Sequence, residues 1–123
     1  MKPADVPDLH DGSLIGIEID ANDIIASFRT VNGKPVELRF RSVHYFKCDD
    51  FREGNIVLDL EISHAGDIEP KSLGAWLHGN PTASELKALI SKVKSSNWKC
   101  VMINPSYGAE VTCICENVEV ADH

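Results

Sequence analysis

Apolar side chains recur at every second position through four stretches of the first half of the chain. Ile15, Ile17 and Ile19 alternate with Leu14, Gly16 and Glu18, and Ile24, Ala26 and Phe28 alternate with Ile25, Ser27 and Arg29. Val36, Leu38 and Phe40 alternate with Glu37, Arg39 and Arg41, and Ile56, Leu58, Leu60 and Ile62 alternate with Val57, Asp59 and Glu61. A strand turns successive side chains to opposite faces. Period two with one apolar side therefore predicts an antiparallel sheet, packed on one face and largely solvated on the other.

The turns set the register. A two-residue loop at Ala21-Asn22 places Ile19 opposite Ile24, Ile17 opposite Ala26 and Ile15 opposite Phe28. Asn32-Gly33 reads as a two-residue hairpin signal, but that register would set Phe28 against Glu37. A three-residue loop, Val31-Asn32-Gly33, sets Phe28 against Val36, Ala26 against Leu38 and Ile24 against Phe40, with Gly33 in the left-handed position of a bulge. A one-residue slip turns a whole strand over, so the hydrophobic match outranks the dipeptide. Val43 to Lys47 extends the third strand, and 49–55 connects it to the fourth.

The period changes in the second half. Residues 67–81, with Gly74, Gly79, Pro70 and Pro81, read as a loop in which Trp76 and Leu77 pack down as a plug. Thr82 and Glu85 have the spacing of a capping box. Leu86, Leu89, Ile90 and Val93 then form one apolar stripe at helical spacing, which predicts a helix from 83 to about 96. Strands at 98–104 and 109–120 follow. A four-residue loop between them places Cys100 opposite Cys113; a three-residue loop separates the two thiols by register.

These elements predict a single α+β domain over 1–123, with an antiparallel sheet of about six strands: a four-strand meander, one helix and a terminal hairpin. The helix packs on one face, the isoleucine-rich one. Phe28, Leu38, Phe40, Leu58, Leu60 and Leu89 are the expected core.

Composition narrows the class. Of 123 residues, 43% are hydrophobic and 25% charged, as in ordinary globular domains. Lys2, Asp5, Asp8 and Asp11 interrupt the N-terminus before any apolar run, which gives no secretory leader. No apolar stretch is long enough for a membrane span. A cytoplasmic location is the expectation. The net charge of −7, from 19 acids and 12 bases, argues against a nucleic-acid binder, which needs a basic patch. Such acidity serves solubility in ordinary soluble domains, and it also suits a basic partner drawn by that field.

Candidate chemistry is sparse. Cys48, Cys100, Cys113 and Cys115 lack C-x-x-C or zinc-knuckle spacing and read as reduced core thiols. His10-Asp11 has no further ligand at recognisable spacing, and His44, His64 and His78 are scattered. No nucleophile elbow, phosphate loop or zinc motif is present. The expectation is no catalytic residue, no metal and no cofactor. The wet face is the remaining candidate. Arg29, Arg39, Arg41, Asp59 and Glu61 lie on it with Glu18 and Glu37, and with Leu14, Ile25 and Val57 among them. Apolar residues between charges suit a partner-binding surface. Asp59 and Glu61 are expected to pair with Arg39 or Arg41 across the sheet.

Three segments carry a resemblance: Leu9-His10-Asp11-Gly12-Ser13, Glu53-Gly54-Asn55-Ile56-Val57 and Tyr107-Gly108-Ala109-Glu110-Val111, the last opening a strand with Cys115 and Val118. Together they resemble small uncharacterised bacterial proteins of β-meander, helix, β-hairpin layout, some relatives of which are immunity proteins of polymorphic toxin systems. The resemblance implies a fold and brings no catalytic residue with it. The leading functional expectation is a non-enzymatic protein-binding domain, an immunity protein neutralising a basic toxin being one form. The alternatives are a small enzyme or ligand-binding domain with its site near the 66–81 loop, and an oligomeric structural module.

Overall fold

The computed structural model describes residues 8–122, so Lys2 and Asp5 lie outside the described residues. Six strands form: β1 (Ser13–Asp20), β2 (Asp23–Arg29), β3 (Pro35–Asp49), β4 (Asn55–His64), β5 (Lys99–Tyr107) and β6 (Glu110–Asp122). A 3-10 turn (Ala65–Asp67) and two helices, α1 (Pro70–Leu77) and α2 (Ala83–Ser95), lie between β4 and β5. All pairings are antiparallel, and the class is α+β. The sheet closes on itself as a barrel in the order β1-β2-β3-β6-β5-β4. The meander thus stops at β3. β4 pairs with β5, and against β1 only at Ser13↔Ile56 and Leu14↔Asn55.

The first two turns have the expected lengths. Asp20 pairs with Asp23 around Ala21-Asn22, with Ala21 at φ 56°. Phe28↔Val36, Ala26↔Leu38 and Ile24↔Phe40 are in register, and Gly33 has φ 85°. In the last hairpin Cys100 faces Ile114 and Val101 faces Cys113, the register of the odd-length loop. Cys113 and Cys115 therefore face the barrel interior, while Cys100 lies under the helices.

Two bulges alter the faces. Ile15 has no partner on β2, so Leu14, not Ile15, faces Phe28; Leu14 is buried and Ile15 exposed. On β4 the extra residue is Leu58, which is 45% exposed, while Val57 turns inward. Leu58 is thus not core, and Leu14 and Val57 do not belong to the wet face. Each bulge adds one residue to one strand and reverses the alternation beyond it. Phe28, Leu38 and Phe40 fill the interior as expected, with Leu60 half-buried beside them. A small barrel of this kind is a packed core, not a pore.

The inward faces meet one another, so the helices pack on the outside. A second apolar cluster of Cys100, Ile114, Leu73, Ala65 and Val93 joins them to β5 and β6, with Leu89 and Ile90 half-buried against it. The Thr82 hydroxyl accepts from the Glu85 amide at 3.2 Å and the Glu85 carboxylate from the Thr82 amide at 2.9 Å, completing the capping box. Trp76 and Leu77 do pack down, but from helix α1 rather than from a loop. Pro70 stands at its first turn, where a missing N–H costs nothing. Trp76 stacks on Tyr45 with ring centroids 5.5 Å apart. Gly74 lets α1 approach α2: a Cβ there would lie 2.8 Å from Leu86 Cδ1.

Candidate functional site

The five candidate residues do not share one surface. Around the barrel β3 and β4 are three strands apart in either direction, so Arg39 and Arg41 stand across the molecule from Asp59 and Glu61. The expected cross-sheet ion pairs are absent for that reason. Asp59 accepts instead from Asn104 Nδ2 at 2.6 Å, and Glu61 has no ion pair among the described residues. Arg29, at the end of β2, donates to the Gly33 carbonyl at 3.1 Å.

Arg39 and Arg41 converge on one carboxylate. Asp23 Oδ2 accepts from Arg39 Nη1 and Arg41 Nη1, each at 2.9 Å, and Asp23 Oδ1 accepts from the Ser42 amide at 3.0 Å. Arg39 also donates to Asp20 at 3.0 Å and Arg41 to Glu119 at 2.7 Å. The Ser42 amide, then the two guanidiniums, hold Asp23 below the usual carboxylate range. Ser42, at φ 51°, bends β3 where the β1–β2 turn meets it, with the Val43 amide donating to the Asn22 carbonyl. The cluster therefore has a structural task. A shallow cavity of about 190 Å³ beside it is lined by Ile25, Arg39, Arg41 and Glu119, so Ile25 alone of the three expected apolar residues stays among the arginines.

A different region collects exposed apolar groups. Beyond Leu14 the outer edge of β1 has no ladder partner among the described residues. Ile15 and Ile19 on this strand are 51% and 76% exposed, and Phe51 is 49% exposed. A cavity of about 520 Å³ is lined by Leu14, Ile15, Phe51, Arg52 and Glu53, between the β1 edge and the loop before β4. Arg52 pairs with Asp50 at 3.1 Å and lies 5.9 Å from the centroid of the exposed Tyr107 ring. The sequence signal for this region was the isoleucine run itself. Its alternation concealed the bulge at Ile15, and nothing local announces where β1 loses its neighbour.

The histidines do not converge. His10 Nδ1 donates to the Leu58 carbonyl at 2.6 Å; that carbonyl, then the Asp11 carboxylate, raises His10 above the ordinary histidine value. His44 stacks on Trp98 and contacts Glu116 at 2.9 Å. His64 Nδ1 accepts from the Gly66 amide while Nε2 donates to the Ser96 carbonyl, so both ring nitrogens are engaged within the fold. His78 pairs with Glu85. Among the described residues no three His, Cys, Asp or Glu side chains gather as metal ligands, and no helix is long and apolar enough to cross a membrane.

Compared with known proteins, the chain matches no protein-family model, no curated protein and no solved structure.

Proposed function

We propose that this chain is a non-enzymatic protein-binding domain of the cytoplasm, and that it binds along the outer edge of β1, the edge turned away from β2. The observation that carries the reading is the exposure of Ile15, Ile19 and Phe51 beside a strand edge that, beyond Leu14, has no ladder partner among the described residues. Exposed apolar groups next to open backbone are what soluble proteins ordinarily avoid, by charges, bulges or a covering element. An immunity protein that neutralises a toxin is the form of this role that the sequence resemblance favours, and the net charge of −7 suits a basic target. Binding of this kind needs neither metal nor cofactor.

Affinity capture from the organism of origin tests the role. Wild-type chain should recover a partner in stoichiometric amount, and the double variant Ile19→Lys/Phe51→Ser should lose it while keeping its fold by circular dichroism. Equal recovery by both would remove the binding role from the β1 edge, and recovery of nothing stoichiometric would count against a protein-binding role altogether.

A further inference from the structure

The free edge of β1 prescribes what can lie on it. Ile17 faces Ala26 and Ile19 faces Ile24, and both partners are core residues, so Ile17 and Ile19 point to the apolar side of the wall. Glu18 faces Ile25 on the outer side. Ile19 is nevertheless 76% exposed, whereas Ile24 directly across from it is 7% exposed. The difference is a missing neighbour. Ile24 has β1 on one side and β3 on the other; Ile19 has β2 alone.

We infer that this edge takes an extended segment of a partner protein, added as a further strand, in which apolar side chains alternate with Lys or Arg. This partner chemistry rests on the protein-binding role proposed above. A strand laid beside β1 presents its side chains alternately to the two sides of the wall. Those beside Ile17 and Ile19 fall on the apolar side and would cover Ile19. Those beside Glu18 fall on the outer side, against a carboxylate that has no ion pair or hydrogen bond among the described residues. Glu53, likewise without such a partner, stands at the other end of the path, in the cavity with Ile15 and Phe51. That cavity receives a bulky apolar residue next to a second cation. Backbone hydrogen bonds along the edge supply affinity, and the alternating side chains supply selectivity. A second copy fits less well, because paired β1 edges would set Glu18 and Asp20 of one chain against the same acids of the other.

The test uses the full chain labelled with ¹⁵N and two synthetic peptides, one alternating valine with lysine and one alternating valine with glutamate. The lysine peptide should shift the amide resonances of residues 15–20 and protect from exchange the alternate amides that point away from β2, and the glutamate peptide should not. Glu18→Lys/Glu53→Lys should weaken the lysine peptide at least tenfold, about 1.4 kcal/mol. Both sites are exposed, so the variant should keep its melting temperature. Equal binding of the two peptides, shifts on another strand, or no binding would overturn the assignment. A concentration-dependent dimer with edge amides already protected would give the edge to a second copy. If wild-type chain captures a native partner that the Ile19→Lys/Phe51→Ser variant loses, yet the lysine peptide leaves residues 15–20 unchanged, strand addition fails and the protein-binding role stands.

Discussion

The Asn55 side chain accepts from the Ala109 amide at 3.0 Å and donates to the Leu14 carbonyl at 3.1 Å, so one amide group ties β4 to both β1 and the start of β6. It also accepts from the Arg52 amide at 2.7 Å and donates to the Arg52 carbonyl at 2.6 Å. Asn55 is 2% exposed, the one buried polar side chain among the described residues, and all its hydrogen-bonding groups are used. Gly108 lies directly against it at φ 85°, where a Cβ would collide with Asn55 Oδ1. Nearby, the Val57 amide donates to the Gly12 carbonyl at 2.9 Å. The segments 9–13, 53–57 and 107–111 thus meet at one end of the barrel.

Asn55→Ala would leave two backbone donors and two backbone acceptors without their partner in a buried site. The expected loss is about 2–4 kcal/mol, from unsatisfied groups rather than lost packing. Urea unfolding measures it. A loss below about 1 kcal/mol would mean that water replaces the side chain.

The β4 bulge separates two leucines that the alternation alone would place together in the core. Leu38 is fully buried and Leu58 is 45% exposed. Leu38→Ala should cost about 2–5 kcal/mol through lost burial and a cavity, and Leu58→Ala less than about 1 kcal/mol, the usual surface scale. If both cost the same, Leu58 is packed and the β4 bulge is misplaced.

How much of this was legible follows from how local each signal is. The registers of β1–β2 at its turn and of β2–β3 could be read from Ile19, Ile24, Phe28 and Val36, because hairpins pair near neighbours in sequence. The α2 cap could be read because Thr82 and Glu85 are three residues apart. Closure of the barrel could not. It depends on Ser13 meeting Ile56 and on bulges at Ile15 and Leu58, and neither bulge residue looks unlike its neighbours. The arginine cluster was half legible: residue type marked Arg39 and Arg41, but their partners Asp23 and Glu119 become neighbours only through the kink at Ser42 and the pairing of β3 with β6.

Asp23 links the fold to acidity. Its folded value is depressed, chiefly by the Ser42 amide and then by the arginines. Such a group stabilises the fold above the ordinary carboxylate range and loses that contribution as pH falls from its unfolded value, about 3.9, through the folded one. Asp23→Asn should therefore be less stable than wild type at neutral pH, with a smaller further loss between about pH 5 and 3. Melting temperatures across that range check it; parallel curves for the two proteins would refute the linkage.

Thiol reactivity should separate one cysteine from three. Burial pushes the Cys100 thiol up to about 11, and Cys113 is raised by its contact with Cys115 together with burial. Cys48 is half-buried, with a smaller rise of the same origin. Only thiolate reacts with aromatic disulfide reagents. At pH 8 the native protein should show a single slow phase that Cys48→Ser removes, with the other thiols titrating only in denaturant. Rapid reaction of two or more thiols in native protein would contradict this burial.

The arginine cluster and the β1 edge can be weighed against each other by mutation. Arg39 and Arg41 already spend their guanidinium groups on Asp20, Asp23 and Glu119, whereas Ile19 and Phe51 are exposed and Glu18 is unpaired among the described residues. A planar fork that is satisfied within its own chain has little left to offer a partner, and binding through it would first have to break the internal pairs. Arg39→Ala/Arg41→Ala should therefore lower the melting temperature by several degrees, because Asp23 loses both cations and the kink at Ser42 loses its clamp. Partner affinity should fall less than tenfold. Ile19→Lys/Phe51→Ser should do the reverse, keeping the melting temperature within a few degrees and weakening the partner more than tenfold, over about 1.4 kcal/mol. Calorimetric titration of the captured partner against both variants gives the comparison. A larger affinity loss in the arginine variant would return the binding surface to β3, with Ile25 and its shallow cavity at the centre.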